Sequence, residues 1–292
     1  MECAADLHGH ELFQAPGLKR LSDDDFQRLS SFIHKELGIK MPPAKKALLE
    51  SRLQKRLRAL GLKGFTEYCD LLFSPEGLSR ELVQMLDLVT TNKTDFFRES
   101  HHFDFLSRTV LPVIISETGP FVSVWSAGCS TGEEPYTISM VMSDFASSQP
   151  SIGLDFSVLA TDISTRVLEY ACKGVYKEER IAPVPEAVKR RYFLRSKDSS
   201  RELVRVCPEI RGKARFTRLN LMDETFPIEG RLDIIFCRNV IIYFNKETQE
   251  RLFSKFCEYL RPGGYLFLGH SETLSGLGLP LKKVAASVYV RY

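Results

Sequence analysis

Between Ser22 and about Thr91 apolar residues recur at helical spacing throughout, whereas beyond Pro120 short apolar runs alternate with amphipathic stretches. Ser22 followed by Asp25 reads as an N-cap ahead of Phe26, Leu29, Phe32, Ile33 and Leu37, and Gly38 ends that helix. A second helix opens near Pro42-Pro43, carries Leu49, Leu53, Leu57 and Leu60, and stops at Gly61. Thr66 to Phe73 and, after Ser74-Pro75, the segment through Leu82, Met85, Leu86 and Val89 complete a small all-α domain. The second part predicts strands at Val122–Ala127, Leu154–Thr161, Arg215–Leu221, Asp233–Cys237, Gly264–Gly269 and Ala286–Arg291. Helices at Pro135–Phe145, Thr165–Cys172 and Thr248–Leu260 fall between them, the signature of a parallel, doubly wound sheet. Lys173 to Lys213 is too long for one loop, and its polar stretch from Arg195 to Glu202, between two apolar runs, predicts an inserted hairpin. The chain thus divides into residues 1–20, an extension expected to be flexible; 21–91, the helical domain; and 92–292, an α/β domain with a β subdomain inserted at about 173–213.

The run from Trp125 to Tyr136 reads as strand, glycine-bearing turn and helix start: Gly128 and Gly132 allow the turn, and Pro135 suits the first helical turn. It lacks both the G-x-G-x-x-G spacing of a dinucleotide loop and the Lys-Ser/Thr ending of a P-loop. Glu133 and Glu134 stand where a phosphate would meet the positive end of the helix, so a cationic or zwitterionic ligand fits better. S-adenosylmethionine, with a sulfonium, an ammonium and no phosphate, is such a ligand. The plainer reading of the two glutamates is that they complement the helix dipole. Asp162, ending the second strand, stands where an acid accepts hydrogen bonds from ribose hydroxyls; Asn220-Leu221 and Arg238-Asn239 end two further strands on the same edge.

Composition adds exclusions. Of 292 residues, 43% are hydrophobic and 26% charged, which suits a globular protein of one large or two modest domains. No apolar run approaches the roughly 20 residues of a membrane helix, and the N-terminus lacks the pattern of a signal peptide, so a cytoplasmic location is expected. Seven cysteines are scattered without a C-x-x-C pair, and six histidines show no ligand spacing, so no metal is expected; His101-His102 read as helix-start or packing residues. A net charge of only +3 argues against nucleic acid as partner. The charge is nevertheless locally basic: Lys45, Arg52 and Arg56 share a stripe on the second helix, either a docking face for something acidic or a solvated surface.

Joined to these pieces, three stretches carry a resemblance: Thr90-Thr91-Asn92-Lys93-Thr94-Asp95-Phe96-Phe97-Arg98-Glu99, Phe236-Cys237-Arg238-Asn239-Val240-Ile241-Ile242-Tyr243-Phe244 and Gly269-His270-Ser271-Glu272. From roughly Leu21 to the C-terminus the chain resembles the CheR-type protein-glutamate O-methyltransferases. The resemblance implies a Rossmann-like class I S-adenosylmethionine methyltransferase domain with a small all-α N-terminal domain and an inserted antiparallel β subdomain. It implies methylation of glutamates on the cytoplasmic helices of chemoreceptors, with S-adenosylhomocysteine as product, by a chain expected to act as a monomer. It also implies that Asn92, Thr94, Arg98, Glu133, Asp162, Asn220, Leu221, Arg238 and Asn239 line the cofactor, Glu133 being preferred to Glu134 by position alone. Arg98 and Tyr243 match positions near the transferred methyl, and the basic stripe of Lys45, Arg52 and Arg56 gains glutamate-rich receptor helices as a partner to steer.

One departure and two alternatives remain open at this level. Relatives that grip a receptor's C-terminal pentapeptide have a glycine-bearing loop in the β subdomain, and Arg195 to Glu202 has none, so pentapeptide-independent action is expected. Methylation of a base or a small molecule is the other enzymatic reading, but the Asn/Asp-Pro-Pro-Tyr/Phe motif of amino-group methyltransferases is replaced by Arg238-Asn239-Val240. A cofactor-sensing adaptor without transfer is the non-enzymatic one.

Overall fold

The computed structural model describes residues 20–90 and 92–292, so the extension expected to be flexible lies, but for Arg20, outside the described residues. Helix α1 (Asp23–Leu37) opens as expected, the Ser22 hydroxyl accepting the Asp25 N–H at 3.0 Å, and closes on Gly38 at φ 68°. A short 3-10 turn at Pro43–Lys45 leads into α2 (Lys46–Leu60), followed by α3 (Phe65–Leu72). The segment expected as one further helix divides at Glu81 into α4 (Pro75–Arg80) and α5 (Leu82–Val89). Leu29, Ile33, Leu53, Leu57, Tyr68, Leu72 and Met85 are buried in the core these helices share.

The basic stripe of α2 is not a set of free cations. Arg56 grips Glu81 through Nε at 2.7 Å and Nη2 at 2.7 Å, and the Tyr68 hydroxyl donates to the same carboxylate at 3.1 Å. Glu81 is 3% exposed, so its charge requires that cation. Arg52 donates to the carbonyls of Val89 and Thr90, tying α2 to the end of α5. The shared docking role expected for Lys45, Arg52 and Arg56 is therefore corrected for both arginines, whose guanidinium groups hold the helical domain together. The counterion was hidden because it comes from another helix.

In the second part a helical stretch, α6 (His101–Phe105), passes through a π turn at Leu106–Val110 into α7 (Leu111–Thr118). Then come β1 (Phe121–Ala127), α8 (Glu133–Ser148), β2 (Asp155–Asp162) and α9 (Thr165–Lys173). An insert holds β3 (Val175–Lys177), α10 (Glu186–Tyr192), β4 (Phe193–Arg195), β5 (Leu203–Val206) and α11 (Pro208–Arg211). The chain returns with β6 (Ala214–Arg218), β7 (Leu232–Cys237), α12 (Lys246–Tyr259), β8 (Leu260–Leu268), β9 (Leu281–Ala285) and β10 (Val288–Arg291).

Among the described residues the main sheet has the order β6-β2-β1-β7-β8-β10-β9. Its first five strands are parallel, and β10 pairs antiparallel with both β8 and β9, which makes the sheet mixed rather than wholly parallel. It is Rossmann-like, with α6, α7 and α8 covering one face and α12 the other. Strand β9 was not foreseen because Lys282, Lys283 and Val284 are exposed on a sheet edge, where no apolar alternation is needed. The expected hairpin is β4 with β5, and β3 adds to it on the other side in the order β3-β5-β4. That small sheet packs Tyr176, Val204 and Val206 against Phe96, Tyr136 and Met140.

The helical domain rests on the carboxyl edge of the main sheet. Asn220 donates to the Glu36 carbonyl at 2.7 Å, and the Lys40 N–H to the Tyr243 carbonyl at 2.9 Å. At Gly38 a Cβ would stand 2.6 Å from the Met222 sulfur, so the left-handed turn that ends α1 is also a point of close approach between the domains. No helix among the described residues is long and apolar enough to cross a membrane.

Arg56→Ala should lower the free energy of unfolding by about 2–3 kcal/mol, because it leaves Glu81 buried and unpaired. Urea titration checks this, and a loss below about 0.5 kcal/mol, as for an ordinary surface change, would show that the pair is not needed.

Candidate functional site

A cavity opens between the carboxyl ends of the central strands and the end of α1, with about 1020 Å³ of empty space when the solvent at its opening is included. Asn92, Thr94, Arg98, Asp162, Asn220, Leu221, Arg238, Asn239 and Tyr243 all line it. Of the residues expected at the cofactor or the methyl, only Glu133 is missing from the wall. Leu37, Ile39, Phe103, Leu219, Val240 and Phe244 supply its apolar surface.

The wall is made of strand ends and turns held in uncommon backbone conformations. At Gly128, φ 86°, a Cβ would meet a Val240 methyl at 2.6 Å, so the turn after β1 and the loop after β7 touch only because that residue has no side chain. Phe97, Glu99, Ser130 and Asn239 also lie at positive φ, between 49° and 59°. Each such residue costs on the order of 1 kcal/mol, which surrounding contacts must offset. For Ser130 the contact is with Asp162, whose carboxylate accepts the Ser130 N–H at 2.9 Å and the Ser164 N–H at 3.0 Å. Burial raises the Asp162 pKa, and these two backbone donors work against that rise.

Asn239 donates its side-chain amide to Glu99 at 3.3 Å, and for Glu99 the contact is Arg238. Its guanidinium, 2% exposed, donates to Glu134 at 3.0 Å, to Glu99 at 3.0 Å and to the Arg98 carbonyl at 2.5 Å. It also lies over the Phe103 ring, 5.5 Å from its centre. Burial raises the pKa of Glu134 against the pull of Arg238. At Glu99 burial is outweighed by the Arg238 charge and hydrogen bonds from Arg238, the His270 N–H and Asn239, and the pKa is lowered. Beyond β8, the buried Glu272 carboxylate accepts the N–H groups of Gly269 at 2.7 Å, Asn239 at 2.9 Å and Ile241 at 3.0 Å. Three backbone donors on one carboxylate fix the loop that carries Arg238, Asn239 and Tyr243.

Glu133 is a correction. It is fully buried behind the wall, where its carboxylate meets Arg180 at 2.7 Å and the Thr131 hydroxyl at 2.6 Å, while its neighbour Glu134 faces the cavity. Successive residues at a helix start point about 100° apart, and position alone does not say which one looks inward. The Asn220 side chain is occupied, donating to Glu36 and accepting from the Met222 N–H at 3.0 Å. Lys45 stands at the edge, its ammonium 5.3 Å from the centre of the Tyr243 ring. Glu99, Glu272 and Arg180 were not singled out from the sequence as site residues. The first two lay inside the quoted motifs, whereas Arg180 carried no signal.

Arg98 has a different status. It donates to the Lys93 carbonyl at 3.1 Å and makes no ion pair among the described residues, so the salt bridge with Asp95 or Glu99 that would make it merely structural is not formed. The acids of the wall are already engaged: Asp95 with Arg180, Asp162 with backbone N–H groups, Glu134 with Arg238 and the Ser126 hydroxyl. The cavity wall carries three acids, Asp95, Glu134 and Asp162, and three cations, Lys93, Arg98 and Arg238, a mixture that suits a zwitterionic ligand with a carboxylate as well as an ammonium and a sulfonium. Carboxylate oxygens with spare lone pairs, as at Asp162, can still accept from ribose hydroxyls. The residues present thus fit S-adenosylmethionine.

Comparison with known proteins agrees. The CheR methyltransferase all-alpha domain matches residues 24–90 and the CheR methyltransferase SAM binding domain residues 92–290. The chain is 40% identical over 260 residues to a chemotaxis protein methyltransferase of Borreliella burgdorferi, covering 88% of this chain and 90% of the relative. It is 39% identical over 286 residues to that of Klebsiella aerogenes, covering 98% and 96%. With that of Escherichia coli the figures are 40% over 257 residues, covering 88% and 87%.

Beside the Arg238 network His102 is fully buried, 3.6 Å from the Glu99 carboxylate, with neither ring nitrogen hydrogen-bonded to a described side chain. Burial, then the Arg238 charge, pushes its pKa from 6.5 down to about 3. Above 6.5 the folded and unfolded chains both hold it neutral; as pH falls toward 3 only the unfolded chain takes up the proton, so stability is lost. Acidification should therefore cost up to about 1.4 kcal/mol per pH unit from this residue, and His102→Phe should remove that slope. Urea midpoints of both proteins between about pH 7 and pH 5 decide it, and parallel pH profiles would refute it.

Proposed function

The chain belongs to the CheR methyltransferase family, and on that premise we propose that it esterifies glutamate side chains on the cytoplasmic helices of bacterial chemoreceptors. It is an S-adenosylmethionine-dependent methyltransferase. The observation that carries the finer reading is Arg98, a cation facing the cavity without a carboxylate of its own, among acids that are already partnered. An acceptor that brings its own negative charge suits such a wall.

A glutamate carboxylate is ionised at neutral pH and is itself the nucleophile, so no general base is required. Bound S-adenosylmethionine supplies an electrophilic methyl on a sulfonium. Transfer of that methyl to a carboxylate oxygen, with the sulfur leaving as S-adenosylhomocysteine, would give a methyl ester with no proton moved, so the residues of this chain would need only to hold and orient the two reactants. Arg98 holds a carboxylate by paired hydrogen bonds, and the Tyr243 hydroxyl orients the attacking oxygen. Leu37, Ile39, Phe103 and Phe244 keep water from the site, which strengthens those contacts. Lys45, beside Tyr243, is the member of the basic stripe left to steer an acidic receptor helix toward the mouth. The reaction is placed in the cytoplasm, where those helices lie.

Methyl-labelled S-adenosylmethionine and a recombinant receptor cytoplasmic fragment test the proposal. The expected result is label on the receptor that mild alkali releases, as a carboxyl ester requires. Arg98→Ala should lower kcat/KM by roughly 100-fold and Tyr243→Phe by roughly tenfold, with melting temperatures little changed. No transfer to several receptor fragments by a protein that still binds S-adenosylhomocysteine would overturn the substrate assignment.

Recognition of a receptor's C-terminal pentapeptide is not part of the proposal. In the loop from Ser196 to Glu202, Asp198 accepts the Ser200 N–H at 3.1 Å and Arg201 Nε at 2.9 Å, and Glu202 occupies φ 45°, a position that favours glycine. A fluorescent pentapeptide should show no binding at micromolar concentration; saturable micromolar binding would contradict this.

A further inference from the structure

Glu133, whose expected place at the cavity is taken by Glu134, leads to the insert. Glu133 is fully buried, and a carboxylate in that position needs a cation. The cation is Arg180, in the 3-10 turn Glu178–Ile181 that follows β3, at 2.7 Å. The same guanidinium donates to the Thr94 carbonyl at 2.6 Å and to Asp95 at 3.3 Å. From β3 itself, the buried Tyr176 donates its hydroxyl to the Thr131 carbonyl at 2.7 Å.

These contacts fall on two loops that wall the cofactor cavity. Residues 92–95 have no regular secondary structure and are held by contacts from outside, the Ser130 hydroxyl to the Asn92 carbonyl at 2.9 Å and Arg180 to Thr94. The second loop, from Gly128 to Gly132, runs into Glu133. Arg180 thus joins the 92–95 loop to the adjoining start of α8, from a subdomain that contributes nothing to the cavity wall itself.

We infer that Arg180 is a positioning residue for S-adenosylmethionine: through Thr94 and Glu133, the inserted subdomain holds the cofactor cavity in its binding conformation. Without the guanidinium, residues 92–95 sample other conformations, and apparent affinity falls by the fraction that remains competent. Bound cofactor restores the order, so turnover at saturation is nearly unchanged. The effect is read in cofactor affinity and not in kcat.

Calorimetry of S-adenosylhomocysteine binding tests this without any acceptor, so its outcome is independent of the glutamate reading. Arg180→Ala should weaken binding roughly tenfold, the scale of a lost charge-assisted hydrogen bond. Arg180→Lys should recover part of the loss, since an ammonium reaches one partner but not both in the geometry of the planar fork. The double variant Arg180→Ala with Glu133→Gln removes the unpaired buried charge, and it should regain thermal stability while binding stays weak. Wild-type affinity in Arg180→Ala would overturn the inference. So would a double variant that regains affinity together with stability, because Arg180 would then only neutralise Glu133.

Discussion

A guanidinium buried to 2% exposure cannot be tolerated unless its charge is answered on several sides, and Arg238 imposes that requirement on everything around it. Glu134 comes from the start of α8, Glu99 from the segment before α6, and the Arg98 carbonyl from the same turn. Meeting the requirement holds Glu99 at a left-handed dihedral that a glutamate rarely adopts. The strands place Arg238 at the carboxyl edge, and the ion pairs then decide where the loops go. Glu272 acts on the same loop from behind, with backbone donors in place of a charge. The cavity owes its shape to carboxylates that do not themselves need to react.

This division of labour suits the proposed chemistry. A reaction in which the nucleophile arrives already ionised asks for alignment and dryness more than for proton transfer. Accordingly, acids in the wall are tied into the framework, and Arg98 is left without a counter-charge. The helical domain contributes Leu37 and Ile39 to the same enclosure, so exclusion of water is a property of the two domains together.

The sequence carried the helical domain well, because the stripes of α1 and α2 must bury one face and the caps at Ser22, Gly38 and Gly61 are local. It carried the parallel strands for a related reason: buried on both faces along most of their length, β1 and β7 read as largely apolar runs broken by Ser123, Ser126 and Asp233. An edge strand such as β9 escapes this logic, and β3 is too short to show a period. The ion pairs escape it altogether. Arg56 and Glu81 are 25 residues apart, Arg180 and Glu133 47, and Arg238 and Glu99 139, so only the fold could reveal which charges were already matched. That is why the basic stripe read as available and Glu133 as a ligand. Nine of the ten residues expected at the cofactor or the methyl nevertheless line one cavity, since the strand ends and the turns that follow them converge at the carboxyl edge of an open sheet whatever their separation.

The seam between the domains runs through Glu36 and Asn220, Gly38 and Met222, and the backbone of Lys40 and Tyr243. Each pair joins a residue of the first forty to one beyond position 219, and Tyr243 is also part of the cavity wall. The two domains are consequently not interchangeable parts. A chimera that takes its helices from one relative and its sheet from another must transplant both halves of this seam as a unit, or the cavity will be assembled from surfaces that never fitted.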